Sequence, residues 1–296
     1  MGGAFHLYFC RQIPIMIYQY NGQYLQSSEI NLNLMDRAYR YGDSVFESMK
    51  YANGRINFWE DHYFRLMSSM RILRMEIPMN FSPEYLEEQV RNTLKENDLQ
   101  GKVARIRLQV SRKEGGRYTP CTNDVNLLIT VEELPNSTFQ LNQEGLVVDL
   151  FKDFYKQKSL LSNIKTGAAT LYTIASIFRN ENMLDECLLL NDDKMVTEAI
   201  SANVFAVKGN IVTTPPLSDG CLKGVMRKQI LEMLPKLGYE VEEKSISPFD
   251  LQKSDELFLT NATQGVRWVK QYRKKEFESN LSVELIAKLN IQVALA

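Results

Sequence analysis

Only two histidines, His6 and His62, and four cysteines, Cys10, Cys121, Cys187 and Cys221, occur among 296 residues. The cysteines lie far apart and form no Cys-x-x-Cys pair. That spacing speaks against a zinc site and a disulfide framework, and scattered free thiols suit a reducing cytoplasm. An excess of one charge is missing too: 35 Lys and Arg stand against 36 Asp and Glu, a formal net charge of −1, with no long block of one sign. Nucleic acid and anionic membrane, which need a basic footprint, are thereby disfavoured as main partners. No apolar run approaches the roughly 20 residues that span a bilayer. Residues 1–15 include a short apolar stretch but no basic start and no clear small-residue cleavage site. Met16 opens a strand-like segment, so residues 1–15 read as an upstream start or a loose extension and are given no function.

What is present is an ordinary globular composition, 44% hydrophobic and 24% charged, able to bury a real core. Single cores stop growing at roughly 250–300 residues, so two domains are expected. Asn21-Gly22 in MIYQYNGQYL and Asn53-Gly54 in SVFESMKYANGRINF predict two hairpins. Helical spacing predicts helices over 60–73 and, starting at Pro83, to about Asn97. KVARIRLQVSR and VNLLITVEEL read as strands around a Gly-rich loop. The polar, aperiodic LPNSTFQLNQE, residues 134–144, reads as a linker between a smaller domain, 16–133, and a larger one, 145–296. In the larger part, strands are expected at 146–150, 187–190, 203–207, 211–214, 240–243 and 256–259. Helices are expected at 168–180, 224–237 and from about Val283. The elements do not alternate strictly, so the fold class is α+β.

Four features can carry chemistry. Lys165 in SLLSNIKTGAATLYTIAS is the only charged residue between Lys158 and Arg179, with Gly167, Ala168 and Ala169 leaving room beside its stem. A lysine becomes nucleophilic where low polarity or nearby cations depress its pKa, although most lysines in such loops are solvated. Glu198 follows a short strand and precedes small residues, which suits a carboxylate aimed into a cleft or a surface glutamate. Gly224 precedes an amphipathic helix in CLKGVMRKQIL, whose free N–H groups suit a phosphate. Arg65 lies on the first long helix, and Arg105, Arg107, Arg112 and Arg117 surround the third hairpin, where they clamp a carboxylate or stay solvated.

Together, DRAYRYGDSVFES, EDHYFRL, NIKTG, MVTEAISANVFAVKGNIVTTP, LKGVMR and DELFLTNA resemble the fold-type IV pyridoxal-phosphate enzymes, the class IV aminotransferase family. Its members include branched-chain and D-amino acid aminotransferases and aminodeoxychorismate lyase. The resemblance runs from about Ile17 to Thr263 and implies a two-domain α+β fold like that of D-amino acid aminotransferase, with the active site in the interdomain cleft. It implies pyridoxal 5′-phosphate as cofactor, covalently held by Lys165, which then shuttles the proton. Glu198 would face the ring nitrogen. Arg65 and the N–H groups of Val225 and Met226 would hold the phosphate, with Asn261 and Ala262 in the turn that closes around it. Phe46, Arg105 and Arg117 would meet substrate. No metal is implied, and the family is built on homodimers.

The implied reaction moves an amino group between an amino acid, of the D-amino acid or branched-chain type, and a 2-oxo acid. Thr170 stands where branched-chain enzymes carry a tyrosine, Ser48 where they prefer Gly, and Met226 and Ala262 where relatives have phosphate-binding threonines, with Thr263 adjacent. These departures bear on branched-chain specificity. Phe46-Glu47 followed by Lys50 is similar to the D-amino acid enzymes, whereas SRKEGGRY is similar to the lyases, which eliminate pyruvate to leave 4-aminobenzoate. Aminotransferase is favoured because Glu47 suits the transaminating branches. A non-catalytic binding protein on the same fold is disfavoured by the joint presence of Lys165, Glu198 and Arg65.

Overall fold

Asn-Gly pairs with positive φ turn the chain at both expected hairpins, with Asn21 at 50°, Gly22 at 86°, Asn53 at 53° and Gly54 at 77°. A computed structural model describes residues 16–295, so residues 1–15 lie outside the described residues. The first hairpin joins β1 (Ile17–Tyr20) to β2 (Gln23–Gln26). A short helix that the sequence reading missed, α1 (Arg37–Tyr41), is capped by Asp36, which accepts from the Tyr39 N–H at 2.8 Å. The second hairpin joins β3 (Ser44–Ala52) to β4 (Arg55–Ile56).

Two long helices follow, α2 (Trp59–Ile72) and α3 (Pro83–Glu96), the second with Pro83 in its first turn and Ser82 as its cap. β5 (Ala104–Arg112) and β6 (Val125–Glu133) then complete an antiparallel sheet in the order β2-β1-β6-β5-β3-β4. Strict alternation along β5 buries Ala104, Ile106, Leu108 and Val110 in one core with Leu66, Met70, Leu86 and Val90 of the helices. Arg105 and Arg107 therefore fall on the opposite face.

The rest of the chain builds a nine-stranded sheet and its helices. In order these are β7 (Leu146–Lys156), α4 (Thr170–Glu181), β8 (Glu186–Asn191), β9 (Val196–Ala199) and β10 (Asn203–Lys208). Next come β11 (Ile211–Thr214), α5 (Val225–Met233), β12 (Glu240–Glu243) and α6 (Pro248–Lys253). The chain closes with β13 (Glu256–Asn261), β14 (Gly265–Tyr272), β15 (Lys275–Glu276) and α7 (Asn280–Leu295). The sheet runs β12-β11-β10-β13-β14-β7-β8-β9, with β15 paired to β14. Three of its pairings are parallel, β11 with β12, β14 with β7 and β7 with β8, and α4 crosses over within the last of these.

Two expected elements have different bounds. β7 runs on from Leu150 to Lys156 through an exposed stretch, because pairing with β8 resumes at Lys156 opposite Asn191 after an irregularity. The predicted helix 224–237 changes to a 3-10 turn at Leu234–Leu237, where Pro235 supplies no N–H. Segment 134–144 is anchored at one residue: Phe139 is buried and bracketed by both amide atoms of the Asn290 side chain, at 2.8 and 3.0 Å.

The two sheets are joined at β3. Phe46 N–H donates to the Lys165 carbonyl at 2.9 Å, Gly167 N–H donates to the Ser44 carbonyl at 2.9 Å, and Val45 pairs antiparallel with Thr166. Gly167 permits this approach, since a Cβ there would stand 2.3 Å from Ser44 Oγ. The small residue therefore makes room for a strand of the first sheet rather than for a ligand. Gly167→Ala should lower stability by about 1–3 kcal/mol in denaturant unfolding, and adding Ser44→Ala should recover most of that loss. An unchanged midpoint in the single variant would contradict the contact.

Candidate active site

A cavity of about 1390 Å³ is lined by residues of both sheets. Lys165 reaches it from the segment paired to β3, half-buried, with Nζ 4.6 Å from the centre of the Phe46 ring. Burial, followed by the Arg65 guanidinium, lowers its ammonium to about 8 against the opposing pull of Glu47 and Glu198. About a tenth of the amine is thus free at pH 7, far more than for an ordinary lysine.

Alternation on β3 sends Phe46 toward the cavity and Glu47 into the core behind it, opposite Leu108 of β5. Glu47 is 2% exposed and takes both Nε and Nη2 of Arg65, together with Nδ1 of the buried His62, which lies 2.6 Å away. Burial alone would raise the Glu47 carboxyl, but Arg65 and His62 outweigh it and hold it down at about 2. Burial lowers the His62 imidazole against the opposing pull of Glu47, and its Nε2 has no partner among the described residues. The remaining guanidinium nitrogen of Arg65, Nη1, donates to the Lys223 carbonyl at 3.0 Å. The arginine is thereby fixed beside the start of α5.

That helix start has no side-chain cap, which leaves its first N–H groups available. Gly224 precedes it in close contact with β10, since a Cβ there would stand 2.0 Å from Asn203 Oδ1. Thr260, buried at the end of β13, lines the same part of the cavity with a hydroxyl that has no partner among the described residues. Asn261 and Ala262 also line it, but Asn261 Oδ1 is occupied by the Thr263 N–H and hydroxyl and the Gln264 N–H. Asn261 therefore builds the turn, and the free hydroxyl comes from Thr260 rather than from Thr263.

Glu198 lies inside β9, not after a strand, and is 2% exposed. Its Oε1 takes the Lys156 ammonium and the Tyr172 hydroxyl, the latter at 2.7 Å, while Oε2 accepts from the Leu222 N–H at 2.6 Å. Neither Lys156 nor Tyr172 was expected from sequence. Thr170 lines the cavity at the start of α4, where the tyrosine of branched-chain enzymes was expected, and the nearby phenol of Tyr172 serves Glu198 instead.

The basic residues of the third hairpin separate into distinct roles. Arg107 lies with its guanidinium 3.6 Å from the Phe46 ring centre, bonded to Gln109 and to no carboxylate among the described residues. Burial and then Arg105 lower it. Arg105 lines the cavity but pairs with Glu132 at 2.8 Å. Arg112 is tied to Asp43 at 2.9 Å. Arg117 is exposed and lies outside the cavity of its own chain, with its carbonyl taken by Arg37. Lys50 donates to the Thr138 carbonyl at 2.9 Å and covers Phe139, away from the cavity.

The family model described as amino-transferase class IV matches residues 44–272. A D-alanine aminotransferase of Bacillus licheniformis is 27% identical, over 83% of this chain and 85% of its own. An aminodeoxychorismate lyase of Bacillus subtilis is 28% identical, over 83% of each chain. Among solved structures, the branched-chain aminotransferase of the archaeon Thermoproteus uzoniensis with norvaline superposes with a TM-score of 0.82, at 22% identity and 95% coverage of both chains. Among the described residues no helix is long and apolar enough to cross a membrane.

The Glu47 clamp carries a pH signature. A carboxyl held below its ordinary 4.5 contributes stability above that value and loses it as pH falls toward 2. Glu47→Gln should cost about 3–5 kcal/mol at neutral pH by stranding Arg65, with the gap to wild type closing between pH 4.5 and 2. A gap that stays constant over that range would contradict the clamp.

Proposed function

Because the chain belongs to the class IV aminotransferases, we propose that it binds pyridoxal 5′-phosphate in this cavity and moves an amino group between an amino acid, of the D-amino acid or branched-chain type, and a 2-oxo acid. The observation that carries this reading is Lys165, an amine lowered to about 8 in the same cavity as Glu198 and the anchored Arg65.

The residues present fit that cofactor. An unpartnered buried hydroxyl on Thr260, a helix start without a side-chain cap and an arginine fixed beside it suit a phosphate. Arg65, Thr260 and the N–H groups of Val225 and Met226 would hold it, within the turn built by Asn261 and Ala262. Glu198 keeps one acceptor position on Oε2 for a ring N–H. When bound, the cofactor supplies an aldehyde for the amine and a cationic ring that accepts the electron pair of the substrate α-carbon. Lys165 Nζ is the group placed to take the α-proton and to return it.

Phe46 and Arg107 form the substrate side, with the unpaired guanidinium suited to a carboxylate. Arg105 contributes charge at its edge. We take residues 16–133 and 145–296 as two domains joined by 134–144, and the functional unit as a homodimer in a cytoplasmic setting. The exposed Phe154, Tyr155 and Leu161 at the cavity support the dimer, in which the Arg117 loop would serve the neighbouring cavity. A lyase forming 4-aminobenzoate and pyruvate is the second reading, supported by the Bacillus subtilis relative.

Adding D-alanine, L-leucine and L-glutamate singly to the holoenzyme tests both. Conversion of the lysine-bound absorbance to the pyridoxamine spectrum by one of them supports transamination and identifies the donor. A band unmoved by any of them would favour the lyase. Arg107→Met should raise KM for the responding amino acid about 10- to 100-fold, the loss of a charged hydrogen bond to a carboxylate, with its absorbance band retained. An unchanged KM would remove Arg107 from the substrate site.

A further inference from the structure

We propose that Lys156 is a positioning residue that shares Glu198 with the cofactor ring nitrogen and weakens that nitrogen's hold on its proton. This rests on the cofactor reading above.

Lys156 ends β7 and is 5% exposed, an ammonium buried beside a carboxylate that is itself 2% exposed. It also donates to the Ser162 carbonyl at 3.1 Å, just before the segment that bears Lys165. The two oxygens of Glu198 are used unequally. Oε1 takes two donors, Lys156 and Tyr172, whereas Oε2 takes only the Leu222 N–H. With about two acceptor positions per carboxylate oxygen, Oε1 is filled and a single position on Oε2 stays open. Lys156 thus orients the carboxylate and selects the oxygen that a ring N–H meets.

Charge gives the arrangement its consequence. A ring cation bound at Oε2 makes two positive charges beside one negative charge, in a buried place where screening is weak. The second cation disfavours the protonated ring relative to a carboxylate that faced it alone. The other titratable groups around the pair are Tyr172 from α4, Cys221 from the loop before α5, and Lys165, with Arg227 and Asp219 farther out beside Cys221. Burial and Glu198 push the Tyr172 phenol far up, and burial pushes the Cys221 thiol up to about 11, so both stay neutral. Lys156 is the resident cation in direct contact with Glu198.

The test uses holoenzyme reconstituted with cofactor carrying ¹⁵N in the ring, with the nitrogen's NMR shift followed against pH. Lys156→Met should move loss of the ring proton to higher pH by roughly one unit or more, while Lys156→Arg keeps the wild-type profile. Should the Met variant not fold, Lys156→Gln, which retains a donor without the charge, carries the same expectation. A merely structural lysine would alter stability and leave the profile in place. Coincident profiles for wild type and the uncharged variant overturn the proposal while the Lys165-bound absorbance persists. Absence of that absorbance in wild type would overturn the cofactor reading itself.

Discussion

Everything at the cavity depends on three residues of backbone pairing between β3 and the segment that carries Lys165. Phe46 and Lys165 share a hydrogen bond, and Gly167 closes against Ser44 with no room for a side chain. Each such bond contributes only about 1 kcal/mol, so the pairing matters more as geometry than as energy. It brings the segment between β7 and α4 onto β3, and Lys165 inherits its position from that pairing. Because side chains alternate along β3, the same strand that sets Phe46 beside Lys165 sends Glu47 backward to hold Arg65. One strand therefore places the Phe46 ring, the Lys165 amine and the arginine beside α5 relative to one another.

Two buried ionic clusters extend that logic. Glu47 with Arg65 and His62, and Glu198 with Lys156 and Tyr172, each hide a carboxylate from water and surround it with donors. Buried ion pairs are weak sources of stability, because desolvation offsets most of the attraction. What they supply here is orientation. The first fixes a guanidinium beside the open end of a helix, and the second leaves one acceptor position free on Glu198. Arg107 is the exception: a half-buried guanidinium with no carboxylate among the described residues, facing the same aromatic ring as Lys165. A site that pairs Arg65 and Lys156 with buried carboxylates but leaves Arg107 without one is suited to an anionic ligand.

Much of the frame is legible in the chain alone. The Asn-Gly turns, the Pro83 start and the alternation in β5 appear where local chemistry puts them, because turn, cap and period are properties of neighbouring residues. The aminotransferase family was legible as well, since several loose motifs in register over most of the chain are more specific than any one of them. β14 was missed although GVRWVKQY suits a strand, and α1 and α6 are too short to show a period. At the site, Lys165, Glu198 and Arg65 could be named from motif position. Their partners could not, because Glu47, Lys156 and Tyr172 meet them only through tertiary contacts, and Thr260 reaches the cavity in the same way. A core-facing Glu in a strand, near a His and Arg three apart on a helix, was the one available sign of the Glu47 clamp. The ranking of the arginines likewise needed the sheet: alternation places Arg105 and Arg107 together, and only Glu132 tells them apart.

The two lysines near Glu198 define the decisive measurement. Borohydride reduction of the holoenzyme, followed by digestion and sequencing of the labelled peptide, reports which amine holds the cofactor. The adduct is expected on Lys165, within the segment paired to β3. An adduct on Lys156, or a protein that takes up no label after incubation with pyridoxal phosphate, would contradict the assignment from which the rest follows.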